Sequence, residues 1–152
     1  MGERLKGKVA IVTGAGAIAG APDRPPVGNG RAAAMVFARE GAAILAVDTN
    51  AESAEETKRM IEKDEGRCSV FLGDISRAED CRTMAETCLN NFGRIDILHT
   101  NVGIGPRIAA GILESDESDW DRVMNINVKG LFHTCRAVLP QMLKQGSGAI
   151  LN

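Results

Sequence analysis

The stretch that decides the fold is VTGAGAIAGAPDRPPVGNGRAAA, residues 12–34. It opens as a phosphate-binding turn opens, with small apolar residues running into glycines. It closes with glycines running into an alanine-rich segment. Pro22, Asp23, Arg24, Pro25 and Pro26 separate the two halves. A loop that cradles a dinucleotide pyrophosphate needs three glycines. One turns sharply off a strand, one lets backbone approach the phosphates, and one lets a helix pack closely on the sheet. The helix N-terminus then supplies N–H donors and the positive end of its dipole.

Proline is tolerated only in a helix's first turn and disfavours helix in the residue before it, so Pro25-Pro26 exclude a helix running through them. The helix is therefore expected to start near Gly28 or Asn29. Gly14 becomes the turn at the strand end, and Gly28 and Gly30 become the approach and packing glycines. Residues 17–27 form a surface excursion, whose length costs little closure entropy and whose prolines stiffen it. Arg24 reads as an exposed loop arginine rather than a phosphate ligand. Glycines alone would serve equally well as ordinary turn residues. Asp48 shifts the balance. It follows Gly30 at close to the ~20-residue spacing at which an acid meets the adenosine ribose hydroxyls. A carboxylate there repels a 2′-phosphate, so NAD is expected over NADP. The competing reading of Asp48 is a solvated acid just ahead of a helix cap.

Around this loop, strand-like and helix-like segments alternate through all 152 residues. Apolar strands are expected at 8–13, 42–48, 68–74, 96–100 and 148–152, with helices between them. Asn50 is the expected cap of the second helix and Gly66 its stop. Ser76 and Glu79 form an expected capping box for the third helix, which carries Cys81, Met84, Ala85, Cys88, Leu89 and Phe92 on one face. Residues 116–144 read as helix with a break near Asn125–Asn127. Continuous apolar strands separated by helices imply an α/β fold: a doubly wound, Rossmann-type parallel sheet of about five strands in a single domain.

Composition excludes several classes. The formal net charge is −2 with no basic run, which argues against nucleic acid as a partner. Four cysteines without a CxxC pair, and two histidines, lack metal-site spacing, so no metal is expected. Cys81 and Cys88 read as core residues rather than redox groups, and reduced thiols suit a cytoplasmic location. The basic start MGERLKGK followed by VAIVTGAGAIAGA superficially resembles a secretory leader, but it is glycine-rich and lacks leucine. No apolar run approaches the ~20 residues of a membrane span. Lys6 breaks the myristoylation pattern.

These motifs, in this order, resemble the short-chain dehydrogenase/reductase family. VAIVTG with GNGRAAA downstream is similar to that family's TGxxxGxG loop, lengthened by insertion. GDIS at 73–76 matches the segment that touches adenine, implying Asp74 and Ile75. FGRIDILHTNVGI at 92–104 is similar to the family strand ending in NNAG. It implies Asn101 and Gly103, with Thr100 and Val102 as departures. WDRVMNINVKGLF at 120–132 implies Asn127 as a member of the catalytic tetrad, and GSGAILN resembles the strand that leads to the catalytic serine.

The family's Ser and YxxxK motifs would lie beyond Asn152, and the 152 residues contain no tyrosine. In the family that phenol transfers the proton between substrate and solvent. The expectation is therefore an incomplete dinucleotide-binding domain over residues 1–152, lacking the C-terminal strands and helices and inactive alone. Its parent would be an NAD-dependent oxidoreductase acting on a small alcohol or carbonyl. The helix at 127–144 is apolar on more than one side, and the resemblance implies that one side meets a second subunit of a homo-oligomer. The alternative is a non-catalytic nucleotide-binding or subunit-interaction module.

Overall fold

The computed structural model describes residues 2–17, 28–107 and 111–152. The excursion expected to carry Pro22, Arg24, Pro25 and Pro26 lies, from residue 18 to 27, outside the described residues. The elements are β1 (Val9–Thr13), α1 (Asn29–Arg39), β2 (Ala43–Asp48), α2 (Ala51–Lys63), β3 (Arg67–Leu72), α3 (Ala78–Phe92), β4 (Ile97–Thr100) and α4 (Glu117–Met124). A π-helical turn (Asn125–Lys129), α5 (Gly130–Gln145) and β5 (Ala149–Leu151) follow.

The five strands form one sheet in the order β3-β2-β1-β4-β5, and every pairing is parallel. Period-two alternation sorts each strand between two cores. Val9 and Ile11 of β1, with Leu45 and Val47 of β2, pack against Met84 and Cys88 of α3 and Val138 and Met142 of α5. Ala10, Val12, Ile44 and Ala46 face the other way, onto Ala34 and Ala38 of α1 and Ile61 of α2. The alanines on that second face let α1 lie close to the sheet. The chain winds outward from β1 through β2 to β3, then crosses back to β4 on the other side. The switch point of the sheet is therefore beside the C-terminal end of β1, where open α/β sheets place their ligands.

At the end of the sheet away from the crevice, Asp96 ties the start of β4 to β1. Asp96 is 5% exposed. Its Oδ2 accepts the Val9 N–H at 2.9 Å and Arg94 Nε at 2.7 Å, while Oδ1 accepts Arg94 Nη2 at 2.7 Å. Burial alone would push this carboxyl up. The Arg94 and Val9 hydrogen bonds, with the charges of Arg94 and Lys8, outweigh it and hold Asp96 below its ordinary value. Asn50 caps α2 as expected, accepting the Ser53 N–H at 2.9 Å.

The sequence reading needs correction in two places. α3 starts at Ala78 with Arg77 in the cap position and no side-chain cap, so Ser76 and Glu79 form no capping box. Asp74 and Asp80 organise that turn instead. Asp74 Oδ1 accepts the Ser76 N–H, and Asp80 Oδ2 accepts the Asp74 N–H, each at 2.9 Å. After α2 the left-handed residue is Glu65, at φ 62°, and not Gly66. Gly66 is needed for space: a Cβ there would stand 2.7 Å from Ile61 Cγ2.

Candidate dinucleotide site

The two halves of the glycine loop meet. Gly14 leaves β1 at φ 64°, a left-handed turn that a side chain would strain. Its carbonyl oxygen lies directly against Gly30 in the first turn of α1, where a Cβ would overlap it. A Cβ on Gly28 would stand 3.1 Å from the Gly16 carbonyl oxygen. Gly28 takes the N-cap position of α1 with no side-chain cap, and the first turn carries no acid. The positive end of α1 therefore has no carboxylate of its own helix to satisfy it.

Asp48 stands at the end of β2, and its role is wider than the sequence reading assigned. Its Oδ2 accepts the Gly16 N–H at 2.8 Å and its Oδ1 accepts the Asn50 N–H at 2.9 Å. It thus holds the glycine turn, and with about four lone-pair sites it keeps further acceptor capacity. The β3 turn is drawn in by Gly73, whose N–H donates to the Asp48 carbonyl at 3.1 Å. Ile75 is 6% exposed, packed where a Cβ on Gly130 would stand 2.8 Å from its Cδ1. From β4, Asn101 reaches back to the loop. Its N–H donates to Thr13 Oγ1 and its Nδ2 to the Gly14 carbonyl, both at 3.3 Å.

Gly14, Gly28, Asn29, Gly30, Asp48, Asp74, Ile75, Asn101 and Gly103 all line a single crevice of about 740 Å³. Every cofactor residue expected from the sequence is brought together there. Asn127 does not line it. Its Oδ1 accepts the Ile104 N–H and its Nδ2 donates to the Ile104 carbonyl, each at 2.9 Å. It therefore fixes a residue that does line the crevice.

Sequence reasoning missed a buried group beneath the loop. Arg31 is 1% exposed and Thr57 is fully buried. Arg31 Nε donates to Thr57 Oγ1 at 2.9 Å, and Nη2 donates to the Ser53 carbonyl at 3.0 Å and to Ser53 Oγ at 3.1 Å. The two hydroxyls then reach the loop: Thr57 Oγ1 donates to the Ala15 carbonyl at 2.8 Å, and Ser53 Oγ accepts the Ala17 N–H at 2.7 Å. Ser53 and Thr57 stand four apart on α2, a spacing that places them on one face. In a helix this polar, that face is indistinguishable in sequence from a solvated one.

The thiols are chemically quiet. Burial pushes Cys68 and Cys88 up to about 12 and Cys81 to about 11. Among the described residues no three His, Cys, Asp or Glu side chains converge as a metal site. The arrangement places the N-terminal end of α1, the Asp48 carboxylate and the apolar side chains of Val47, Ile75, Val102 and Ile104 around one crevice.

A model of the short chain dehydrogenase family matches residues 8–152. The chain belongs to that family. It is 40% identical over 149 residues to D-threitol dehydrogenase of Mycolicibacterium smegmatis, covering 98% of this chain and 53% of the relative. Against 3-oxoacyl-acyl-carrier-protein reductase FabG of Thermotoga maritima it is 33% identical over 149 residues, covering 98% of this chain and 56% of the relative. It superposes on NAD+-bound xylitol dehydrogenase with TM-score 0.86 and 32% identity, covering 97% of this chain and 52% of that one. With 7α-hydroxysteroid dehydrogenase in complex with NADH and 7-oxo glycochenodeoxycholic acid the values are 0.83, 32%, 97% and 52%. The chain thus spans about half the length of the relatives it matches.

Proposed function

We propose that this short-chain dehydrogenase chain is the nucleotide-binding portion of an NAD-dependent oxidoreductase acting on a small alcohol or carbonyl compound. The observation that carries the reading is the contact between Gly14 and Gly30, which seats the open mouth of α1 on the crevice beside Asp48. A pyrophosphate suits this cradle because it is narrow, built of backbone, and positive at the helix end. In the proposal, the N–H groups around Gly28, Asn29 and Gly30 hold the phosphates and Asp48 accepts from the adenosine ribose hydroxyls. Asp74 and Ile75 border the adenine. Asn101 and Gly103 border the nicotinamide half. Asn127, marked as catalytic by the family resemblance, acts by fixing Ile104. When bound, a nicotinamide dinucleotide supplies the hydride acceptor or donor.

NAD is favoured over NADP because Asp48 presents a carboxylate where a 2′-phosphate would sit. Both solved relatives described above carry NAD+ or NADH. A homo-oligomer is proposed from the family resemblance together with Val128 (52% exposed), Phe132 (55%) and Leu143 (76%) on the last helical stretch. No helix among the described residues is long and apolar enough to cross a membrane, and all four cysteines are free thiols. We propose a cytoplasmic location on that basis.

The absence of tyrosine favours a second reading for these 152 residues taken alone, a non-catalytic nucleotide-binding or subunit-interaction module. Fluorescence titration with NADH and NADPH, combined with turnover assays on secondary alcohols, tests both. Saturable NADH binding with weaker NADPH binding supports the cofactor assignment. Binding without turnover supports the module, and absence of binding overturns the cofactor assignment.

A further inference from the structure

The segment after β4, residues 101–107, reads NVGIGPR. It has no strand or helix partner, so its backbone has to be held by side chains or water. Its inner residues, Asn101 to Ile104, form one wall of the crevice. Asn127 fixes Ile104, as described above. The outer residues are held by a different pair. Arg122 Nη2 donates to the Gly105 carbonyl at 2.9 Å, and Asp119 Oδ2 accepts the Arg107 N–H at 2.8 Å. The pair is joined internally, with Arg122 Nε donating to Asp119 Oδ1 at 2.8 Å and Nη2 lying 2.7 Å from the same oxygen.

We infer that Asp119 and Arg122 are positioning residues that hold the β4 wall of the crevice against α4 and so set the affinity for the nicotinamide ring of the cofactor. The inference rests on the cofactor reading above. Three features separate this pair from general scaffolding. It stands three residues apart on α4, so both side chains project from one face toward the same segment. α4 has no buried residue of its own, so the pair is not part of the hydrophobic core. It also grips two adjacent backbone stations of a glycine- and proline-bearing segment, where an untethered chain would have to be ordered each time a ligand bound. The Arg107 N–H, followed by the Arg122 hydrogen bond, holds the Asp119 carboxyl below its ordinary value.

Asp48 ends β2 and Asp74 and Ile75 follow β3, across β1 from β4 in the sheet order, and the clamp's hydrogen bonds go to none of them. Loosening it is therefore expected to penalise NADH and spare ADP-ribose, which carries the adenosine, pyrophosphate and second ribose but no nicotinamide. The test is a fluorescence titration with NADH and a competition titration with ADP-ribose on the native chain and three variants. Asp119→Ala and Arg122→Gln are each expected to weaken NADH by about three- to tenfold, the scale of reordering a few backbone and side-chain groups, and to leave ADP-ribose within about twofold. Asp119→Glu is expected to recover part of the loss. Asp116→Ala is the control. It removes the α4 cap, which accepts the Ser118 N–H at 3.0 Å; its charge reaches Arg107 and Asp119, but its side-chain hydrogen bonds go to Ser118 and not to the segment. It should lower Tm while keeping the native ratio of the two affinities.

Equal weakening of both ligands, or no weakening of either, in Asp119→Ala and Arg122→Gln overturns the inference. A changed ratio in Asp116→Ala overturns it too, because helix loosening alone would then suffice. If Asp119→Ala does not fold, Arg122→Gln decides by the same ratio. A native chain that binds ADP-ribose and NADH leaves the cofactor reading standing whatever the variants do. A native chain that binds neither overturns that reading and this inference with it.

Discussion

A Cβ on Gly30 would overlap the carbonyl oxygen of Gly14, leaving no room for even a methyl group between α1 and the end of β1. That contact closes the long glycine loop and fixes where the mouth of α1 points. The atom that blocks a side chain is backbone, not the flexible end of a neighbour. Gly30→Ala is therefore expected to force α1 away from the sheet, at a cost of about 1–3 kcal/mol, the range for inserting a methyl into a packed site. NADH binding should be lost with it. Gly28→Ala has 3.1 Å to the Gly16 oxygen and should be milder on both counts. Urea denaturation and NADH titration of both variants give the measurement.

Asp48 performs two tasks, so its variants should separate them. Asp48→Asn keeps an acceptor for the Gly16 or Asn50 N–H and removes the charge. It should weaken NADH modestly and narrow the preference over NADPH. Asp48→Ala also releases Gly16 and Asn50, and should weaken both cofactors and lower Tm. Paired NADH and NADPH titrations distinguish the outcomes; an unchanged NADH-to-NADPH ratio in Asp48→Asn would remove the ribose assignment.

Thr57→Val keeps the shape of a buried side chain and deletes the oxygen that serves Arg31 Nε and the Ala15 carbonyl. Leaving buried polar groups unpaired costs about 1–3 kcal/mol. At roughly 2–4 °C per kcal/mol for a chain of this size, the fall in Tm should be readily measured. Because Ala15 begins the loop, ADP-ribose binding should weaken as well. A Thr57→Val protein with native Tm would show that Arg31 is held without this hydroxyl.

The pH dependence of stability should carry the mark of Asp96. Its folded value lies below the ordinary carboxylate value of 3.8. The unfolded state therefore binds the proton more readily than the folded state does. The associated stability is fully present above the unfolded value and is lost as pH falls through about 4 toward the lower folded value. Asp116 and Asp119 are depressed too and act in the same direction. Asp96→Asn should flatten the acid limb of stability against pH, measured by chemical denaturation between pH 3 and 6 (a range set by ordinary carboxylate values).

What the sequence made legible follows from the range of the forces involved. The sheet and its strand bounds could be read because period and apolar runs are local signals. The start of α1 was legible because two prolines forbid the alternatives. Gly14, Gly28, Asn29, Gly30 and Asp48 were legible because glycine roles, the proline limits on α1 and the spacing to Asp48 are constraints of backbone geometry, whereas Asp74, Ile75, Asn101 and Gly103 came from the family resemblance alone. The Ser76 and Glu79 pattern misled because Asp74 and Asp80 compete for the same turn, and only the folded turn shows which acid wins. The left-handed position at Glu65 was hidden because the adjoining Gly66 looked like the obvious stop. Arg31, Ser53 and Thr57 were illegible because a buried polar network looks, in sequence, like a helix surface.

A crystal structure of the native chain with NAD tests the central claim most directly. The account predicts the pyrophosphate at the mouth of α1, against Gly28, Asn29 and Gly30, with the adenosine ribose hydroxyls on the Asp48 carboxylate. A dinucleotide seated elsewhere, for example in the open groove beside Met124, Val128 and Phe132, with the α1 mouth empty, would contradict it.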